Sequence, residues 1–411
     1  MNKKRIVITG IGVLSPNGIG KDAFWLSLKE GRSGIKPLTL FEPTFFKTKL
    51  AGEISDFNTQ EFINYRDLQN FDRSTKLVCA AAKLALEDAG LTISEENTED
   101  IGVVTATTLA LWNIAEFAKE IVQEGPQFAS AGIFVGTTIN TASSQISIQH
   151  KIKGFNTTIS TGYTASLDAL RYAVEFIKLN RVRAVLVAAV EGLTFAGYVG
   201  FYKIGFLAGL KGEEISCPFD KRRNGIILSE AAVVLVIEDE EYAKKRNARI
   251  YAELAAVENS FDAFRATKYE PKARGLKETM SKALQNAGMQ ESDIDYILSS
   301  ANSVIQQDAL ETQAIKEVFN LYAKDTPVSA IKSMVGESVS AAGLLQIAAA
   351  IGSLEKDFIP PTINYKEKDD ACDLDYVPNQ SRQEKVNHIL INDFGPGGNN
   401  ASAIIKRYGG G

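Results

Sequence analysis

The chain has 411 residues, of which 45% are hydrophobic, and its formal net charge is −5. A chain of this length can bury a large core, as one big domain or as two fused halves. The acidic balance argues against a nucleic acid partner, because phosphate binding needs a basic face. The sequence has no run of 18 apolar residues and no charged-then-apolar leader, so we predict a cytoplasmic protein without a membrane span.

Cysteine and histidine are scarce in this sequence. Cys79, Cys217 and Cys372 are too scattered for a disulfide framework or a zinc site, which predicts reduced thiols. The two histidines are His150 and His388. We therefore predict no metal site and no cofactor, and little histidine-based acid–base chemistry.

The chain opens with a buried strand at residues 5–12, a glycine turn and a helix at 21–30. Gly10 and Gly12 alone could suggest a dinucleotide fingerprint, but the third glycine and the downstream acid are missing. A long helix follows at 70–90, with Gly90 as its C-cap.

Strands and helices then alternate along the rest of the chain. This alternation predicts an α/β protein in which sheets lie between helices. The predicted strands are 101–107, 183–190, 250–254, 295–299, 328–330 and 388–392, and the predicted helices are 109–122, a segment from Phe134 to a helix ending near His150, 273–287, 308–319 and 341–354.

A sharp strand-to-helix turn at residues 156–170 organises the sequence. A β-branched run ends at Thr161-Gly162, and an amphipathic helical pattern begins directly after Tyr163. Acyl-transfer enzymes often place a nucleophile at such an elbow, beside backbone N–H groups that stabilise an anion. The alternative for Tyr163 is a core aromatic residue with a satisfied hydroxyl.

Several motifs resemble those of the β-ketoacyl synthases. They are the opening 5–20, Gly31-Arg-Ser-Gly-Ile35, the elbow 161–165, and Cys217-Pro-Phe-Asp-Lys-Arg-Arg-Asn-Gly225 with Ser229-Glu-Ala-Ala232. The resemblance implies a thiolase-like five-layered αβαβα fold made of two duplicated halves, residues 1–248 and 249–411. It also implies that region 105–165 forms the dimer surface and the wall of the acyl tunnel.

The resemblance places the family's three chemical residues at positions that have changed. Tyr163 stands at the nucleophilic cysteine, and Ser300 and Glu337 stand at the two histidines, while Lys332 and Asp308 are retained. A phenol with a reference pKa near 10 is only about 0.1% ionised at pH 7, so it is a poor acyl acceptor. A carboxylate where negative charge develops raises the barrier rather than lowering it. We therefore predict that no catalytic residue is present.

Two further features follow from the resemblance. The run Asn392-Asp-Phe-Gly-Pro-Gly-Gly-Asn-Asn400 resembles the family loop that supplies a backbone N–H to the oxyanion hole and a phenylalanine that gates the pocket. Gly395, Pro396 and Gly397 stand at the positions of this loop in the present chain. Pro396 stands at the gating phenylalanine and cannot swing like one. Trp112 and Phe134 are candidate tunnel-lining residues, and ordinary core aromatics are the alternative.

A scaffold retained from end to end without its catalytic groups resembles the chain length factor, or ketosynthase β, of type II polyketide systems. The resemblance implies a heterodimer with a catalytic ketosynthase α subunit, acting on a polyketide bound to an acyl carrier protein, and a role in setting chain length. On this interpretation the chain is an inactive subunit of a 3-oxoacyl synthase complex. The alternatives are a repurposed acyltransferase or hydrolase that uses Tyr163, Ser300 and Glu337, and a structural homodimer.

Overall fold

The computed structural model describes residues 4–63, 71–109 and 112–409. The strands are β1 Ile6–Ser15, β2 Gly18–Ile19, β3 Ile35–Pro37, β4 Leu50–Gly52, β5 Ile101–Ala106, β6 Asn156–Ile159, β7 Ala184–Glu191, β8 Ala231–Asp239, β9 Ala252–Phe261, β10 Tyr296–Leu298, β11 Val328–Ser329, β12 Phe358–Ile359, β13 Arg382–Gln383, β14 His388–Phe394 and β15 Asn399–Arg407. The helices are α1 Lys21–Lys29, α2 Thr59–Phe62, α3 Arg73–Ala89, α4 Trp112–Glu124, α5 Ala131–Val135, α6 Thr141–His150, α7 Ala165–Lys178, α8 Phe195–Ile204, α9 Glu240–Lys245, α10 Arg274–Ala287, α11 Ile305–Phe319, α12 Lys332–Val335 and α13 Ala342–Lys356.

The two halves of the chain have the same strand order. In the first half the order across the sheet is β6-β5-β7-β8-β1, and in the second it is β11-β10-β14-β15-β9. Numbered along the chain within each half, both orders read 3-2-4-5-1. The halves meet where β1 pairs antiparallel with β9, so their strands form one continuous sheet. The structure thus shows the duplication that the sequence resemblance implied.

Alternating side chains place different helices on the two faces of each half. Val233, Leu235 and Ile237 of β8 pack with α7 and α13, whereas Ala232 and Val234 pack with α3. In the second half, Ile389 and Ile391 of β14 face the same central helices, while Leu390 packs with α10 and α11. The five layers are therefore α3 with α6, the strands of the first half, α7 with α13, the strands of the second half, and α10 with α11. This arrangement confirms the predicted αβαβα class.

The opening glycines serve packing rather than nucleotide binding. A Cβ on Gly12 would lie 1.9 Å from the backbone oxygen of Ala81 in α3, and one on Gly10 would lie 2.4 Å from that of Ala85. Only glycine lets this helix approach β1 so closely. The helix ends where predicted, because Gly90 takes the left-handed conformation with φ 56°.

Among the residues that the structure describes, no helix has both the length and the apolar composition needed to cross a bilayer.

Candidate functional site at the strand-to-helix elbow

The elbow lies between β6 and α7, and Asp168 holds its two sides together. The hydroxyls of Thr161 and Thr164 both donate to Asp168 Oδ2, the latter over 2.9 Å. Asn259 Nδ2 donates to Asp168 Oδ1 over 2.9 Å. Gly162 adopts φ 85°, a backbone conformation that residues with a Cβ rarely take, and this lets the chain turn into the helix.

Tyr163 is buried at the turn, with 8% of its surface exposed. Its ring packs against the backbone of Gly395: a Cβ there would lie 2.4 Å from Tyr163 Cγ and Cδ2. Burial raises the pKa of the phenol well above its usual value, and the charges of Glu337 and Asp393 raise it further. Phenolate at neutral pH is thus even scarcer than in a free tyrosine.

Glu337 forms a buried ion pair with Lys332. Lys332 Nζ donates to Glu337 Oε2 over 2.9 Å, and both side chains are at most 2% exposed. Asn302 Nδ2 donates to the same oxygen over 2.8 Å, and the Val339 N–H donates to Oε1 over 2.9 Å. Burial acts to lower the pKa of Lys332, but the carboxylates of Glu337 and Asp393 outweigh it and raise the pKa. The lysine is therefore held as a cation.

Asp393 is a second buried carboxyl at the site, which sequence reasoning did not select. Its Oδ1 lies 3.8 Å from Lys332 Nζ and accepts from Ser300 Oγ over 3.3 Å, whereas Oδ2 has no hydrogen-bond partner. Burial raises the pKa of Asp393 to about 8, although Lys332 opposes the shift. The acid within the Asn392-Asp393-Phe394 strand end was the available signal, because an acid inside a buried strand needs a partner.

Ser300 is fully buried and committed to internal hydrogen bonds. Its Oγ also accepts from the Phe394 N–H over 3.2 Å and from Gln307 Nε2 over 3.2 Å. Asp308 accepts from the N–H groups of Phe219 and Asn302, over 2.8 and 3.0 Å. Both residues thus organise the backbone around the site.

In the loop at 395–398, which we call the glycine loop, the N–H groups of Gly395 and Gly397 donate hydrogen bonds to other backbone carbonyls of the protein. Gly395 donates to Asn399 O over 3.4 Å, and Gly397 donates to Lys268 O over 3.4 Å. Pro396 has no N–H to offer. Asn399 Nδ2 donates to Thr161 O over 2.7 Å and ties the loop to the elbow.

The two predicted tunnel residues, Trp112 and Phe134, lie in helices α4 and α5 of the first half of the chain. Trp112 begins α4, and its side chain lies outside the part of the structure that is described. Phe134 lies in α5, contacts the Phe117 ring at 5.5 Å between centroids, and is 56% exposed. Phe134 is therefore not a core aromatic of the isolated chain, and its role as a tunnel residue stays a prediction.

The histidines and cysteines are not among the described contacts of the elbow. His388 Nδ1 contacts Asp293 O at 2.8 Å at the start of β14. His150 ends α6 on a surface cleft of about 540 Å³, where burial lowers its pKa. Cys79 packs within α3, and burial raises the pKa values of Cys79 and Cys217 to about 12. Among the described contacts of the elbow, the ionisable groups are thus phenols, carboxyls and one lysine, none of which matches an acylatable thiolate with two imidazoles.

The raised pKa of Asp393 predicts a pH-dependent stability. An unfolded aspartate has a pKa of about 4, whereas the folded value is about 8. Between these values the folded chain holds a proton that the unfolded chain has lost, so the free energy of unfolding falls as pH rises through this window. Asp393→Asn should flatten that decline, as measured by urea midpoints from about pH 5 to about pH 9.

Asp373→Asn is the matched control, because Asp373 is exposed and its pKa is lowered by a hydrogen bond from Lys316. It should keep the wild-type slope. Parallel pH profiles for wild type and Asp393→Asn would contradict the assignment.

A five-layered αβαβα protein whose strand-to-helix elbow faces a glycine-rich loop is a thiolase-like condensing-enzyme scaffold. Residues 3–243 match the family described as "Beta-ketoacyl synthase, N-terminal domain", and residues 251–366 match "Beta-ketoacyl synthase, C-terminal domain". The chain belongs to the β-ketoacyl synthase family.

Named relatives include a 3-oxoacyl-[acyl-carrier-protein] synthase and a polyketide synthase subunit. The chain is 35% identical to the 3-oxoacyl-[acyl-carrier-protein] synthase 2 of Coxiella burnetii, over 99% of each chain. It is 34% identical to the tetracenomycin polyketide synthase ketoacyl synthase alpha subunit of Streptomyces glaucescens, over 98% of this chain and 97% of that one.

Two solved structures have nearly the same fold. "The ishigamide ketosynthase/chain length factor" superposes with a TM-score of 0.92 at 30% identity, over 99% of this chain and 100% of that one. A type II PKS acyl-carrier protein in complex with its ketosynthase bound to the hexaketide gives a TM-score of 0.90 at 28% identity, over 99% and 100%.

Proposed function

We propose that this chain is a non-elongating chain length factor, a ketosynthase β subunit that pairs with a catalytic ketosynthase and shapes the tunnel for a carrier-bound polyketide. One observation carries the proposal: the nucleophile position holds Tyr163, buried against Gly395. Its pKa is raised by burial and by two neighbouring carboxyls, so the phenol cannot serve as an acyl acceptor at neutral pH.

The neighbouring groups support an inert site rather than a repurposed catalyst. A general base needs a free lone pair aimed at a substrate proton. Glu337 instead accepts from Lys332, Asn302 and the Val339 N–H. Ser300 is buried and held by Gln307 and Phe394.

A partner subunit fits the surface of the first half. Exposed apolar side chains cluster in the segment 114–148, where water-exposed apolar area marks an association site. The most exposed of them are Val122 at 84%, Val135 at 66%, Phe128 at 65%, Phe134 at 56% and Ile148 at 55%. Beside α6, β6 lies at the end of the sheet order with only β5 as a described neighbour. An edge strand of this kind can pair with a strand of another chain. The catalytic ketosynthase is our proposed occupant, and the named ketosynthase/chain length factor structure supports the kind of pairing.

The test begins with the purified chain alone. Intact-mass measurement should show no acyl transfer from an acyl carrier protein, and malonyl-carrier should not be decarboxylated. Co-expression with its ketosynthase should give a 1:1 complex, whose product length shifts when Trp112 or Phe134 is replaced by alanine. Robust acyl transfer or malonyl decarboxylation by the isolated chain would contradict the proposal.

Two variants sharpen this experiment. Phe134→Asp should weaken the complex, whereas Leu321→Asp, at a side chain 89% exposed on another part of the surface, should not. Tyr163→Phe should leave product yield unchanged, because a space-filling ring does not need its hydroxyl. A catalyst that used Tyr163 would lose activity in that variant.

A further inference from the structure

Glu191 is a buried acidic residue at the end of β7, and it is not one of the ionisable groups at the elbow. It is 2% exposed. Strands β5 and β7 run parallel and end side by side, with Ala106 paired to Ala189. The chain that leaves β5 therefore passes the carboxyl group of Glu191.

This carboxyl group binds the segment 107–109, which we call the α4 approach. Glu191 Oε1 accepts from the Leu109 N–H over 2.8 Å, and Oε2 accepts from the Thr108 N–H over 3.2 Å. Ser340 Oγ donates to Oε2 over 2.6 Å. Of the described residues, no lysine or arginine forms an ion pair with Glu191, so these hydrogen bonds are what stabilises its charge.

The arrangement of donors requires a carboxylate at position 191. Both carboxylate oxygens accept hydrogen bonds, whereas the amide of glutamine has one accepting oxygen and an NH₂ group that would face a donor. Burial raises the pKa of Glu191 to about 7, and the hydrogen bonds from Ser340, Leu109 and Thr108 oppose the shift. Glutamine, although close in shape, therefore cannot bind the α4 approach in the same way.

The other described contacts of the α4 approach are weaker. The Thr107 N–H donates to Ile159 O over 3.3 Å, and Thr108 Oγ1 donates to Gly162 O over 3.4 Å. Leu109 packs beside α8, where a Cβ on Gly197 would lie 3.6 Å from Leu109 Cδ1. Both of these hydrogen bonds are longer than the one between Leu109 and Glu191, so the carboxylate is the closest attachment of this segment.

The position of the α4 approach limits where α4 can begin. Helix α4 starts at Trp112, three residues beyond Leu109, and three residues span at most about 11 Å. The helix carries the candidate tunnel residue Trp112 and the exposed apolar side chains Ile114 and Val122. A shift of the approach would therefore move the surface that the proposed partner and the polyketide would meet.

We infer that Glu191 is a positioning residue that fixes where α4 leaves the sheet and thereby sets the part of the tunnel that α4 contributes. This inference rests on the proposed function, because the position of α4 affects product length only in a subunit that shapes the tunnel. Glu191 acts through the backbone of Thr108 and Leu109 and contacts no reacting atom.

The first measurement uses the isolated full chain. In Glu191→Gln, hydrogen–deuterium exchange at the amides of Thr108 and Leu109 should be at least about tenfold faster, because local opening no longer breaks two bonds to a carboxylate.

Glu53→Gln is the matched control. Glu53 is 6% exposed and accepts from the N–H groups of Thr39 and Leu40, over 2.6 and 2.9 Å, and from the Thr39 hydroxyl over 2.6 Å. It thus binds two successive N–H groups and a hydroxyl, as Glu191 does. Its replacement should speed exchange at Thr39 and Leu40 and leave Thr108 and Leu109 unchanged.

The second measurement is the product length made by the complex with the catalytic ketosynthase and its acyl carrier protein. Glu191→Gln should spread the product over more than one chain length, whereas Glu53→Gln should keep the wild-type length. A purely structural role would lower the total yield without changing the length. If Glu191→Gln does not fold, Glu191→Asp should give the spread, because it keeps the charge but draws the carboxylate back by one methylene.

Three results would overturn the positioning role of Glu191. They are unchanged exchange at Thr108 and Leu109 in Glu191→Gln, a wild-type product length despite faster exchange, and an equal change of length in Glu53→Gln. Failure of the proposed function would look different, since it would appear in the unmodified chain as turnover in isolation or as absence of the complex.

Discussion

Replacing Lys332 with methionine is expected to lower the free energy of unfolding by about 3–5 kcal/mol. The lysine is 2% exposed and pairs with Glu337, with Asp393 at 3.8 Å. Without its ammonium group two buried carboxyls face each other, and burying an unpaired charge is costly. Urea unfolding at neutral pH measures the loss.

Lys316→Met is the matched control for that experiment. Lys316 pairs with Asp373 over 2.9 Å, but both side chains are at least 40% exposed, so the loss should be about 0–1 kcal/mol. Adding Glu337→Gln to Lys332→Met should recover part of the stability, because it removes one stranded charge. A loss for Lys332→Met no larger than that for Lys316→Met would refute the buried pair.

The second large effect is expected at the contact between Gly395 and Tyr163. Gly395→Ala places a Cβ 2.4 Å from the ring and should cost about 1–3 kcal/mol through overpacking. Tyr163→Ala should itself cost about 3–5 kcal/mol through the cavity it leaves. In the double variant the ring atoms at 2.4 Å are gone but the Cβ at position 163 remains 2.8 Å away, so the cost of the alanine at 395 should fall only in part.

A double-mutant cycle on thermal or urea unfolding gives this coupling directly. Gly200→Ala in α8 is the control, because a Cβ there meets no atom within 4 Å and should be neutral or slightly stabilising. Equal costs for Gly395→Ala in the presence and absence of the Tyr163 ring would show that the ring does not fill the pocket.

Local signals in the sequence were sufficient for the elbow and for many of the elements, but α8 and β15 were not predicted. Gly90 ends α3 as predicted, and the apolar run at 183–190 is β7, buried along its whole length. Of the helix predicted at 109–122, residues 112–122 lie in α4, which continues to Glu124, and residues 110 and 111 lie outside the described part of the chain. Tyr163, Ser300 and Glu337 were all selected from short motifs, and the structure brings them into one buried region.

The sequence by itself therefore determined the α/β class and the elbow through neighbouring residues and their spacing, while its resemblance to the β-ketoacyl synthases indicated the five-layered fold and the residues that stand at the cysteine and both histidines. Only the tertiary structure decided that Glu337 pairs with Lys332, that Asp393 lies 3.8 Å from the same ammonium group, and that the Tyr269 hydroxyl donates to Gln307. Those contacts join residues distant in the chain, and their free energies depend on burial. Neither separation in space nor burial of a particular side chain is encoded in a local pattern.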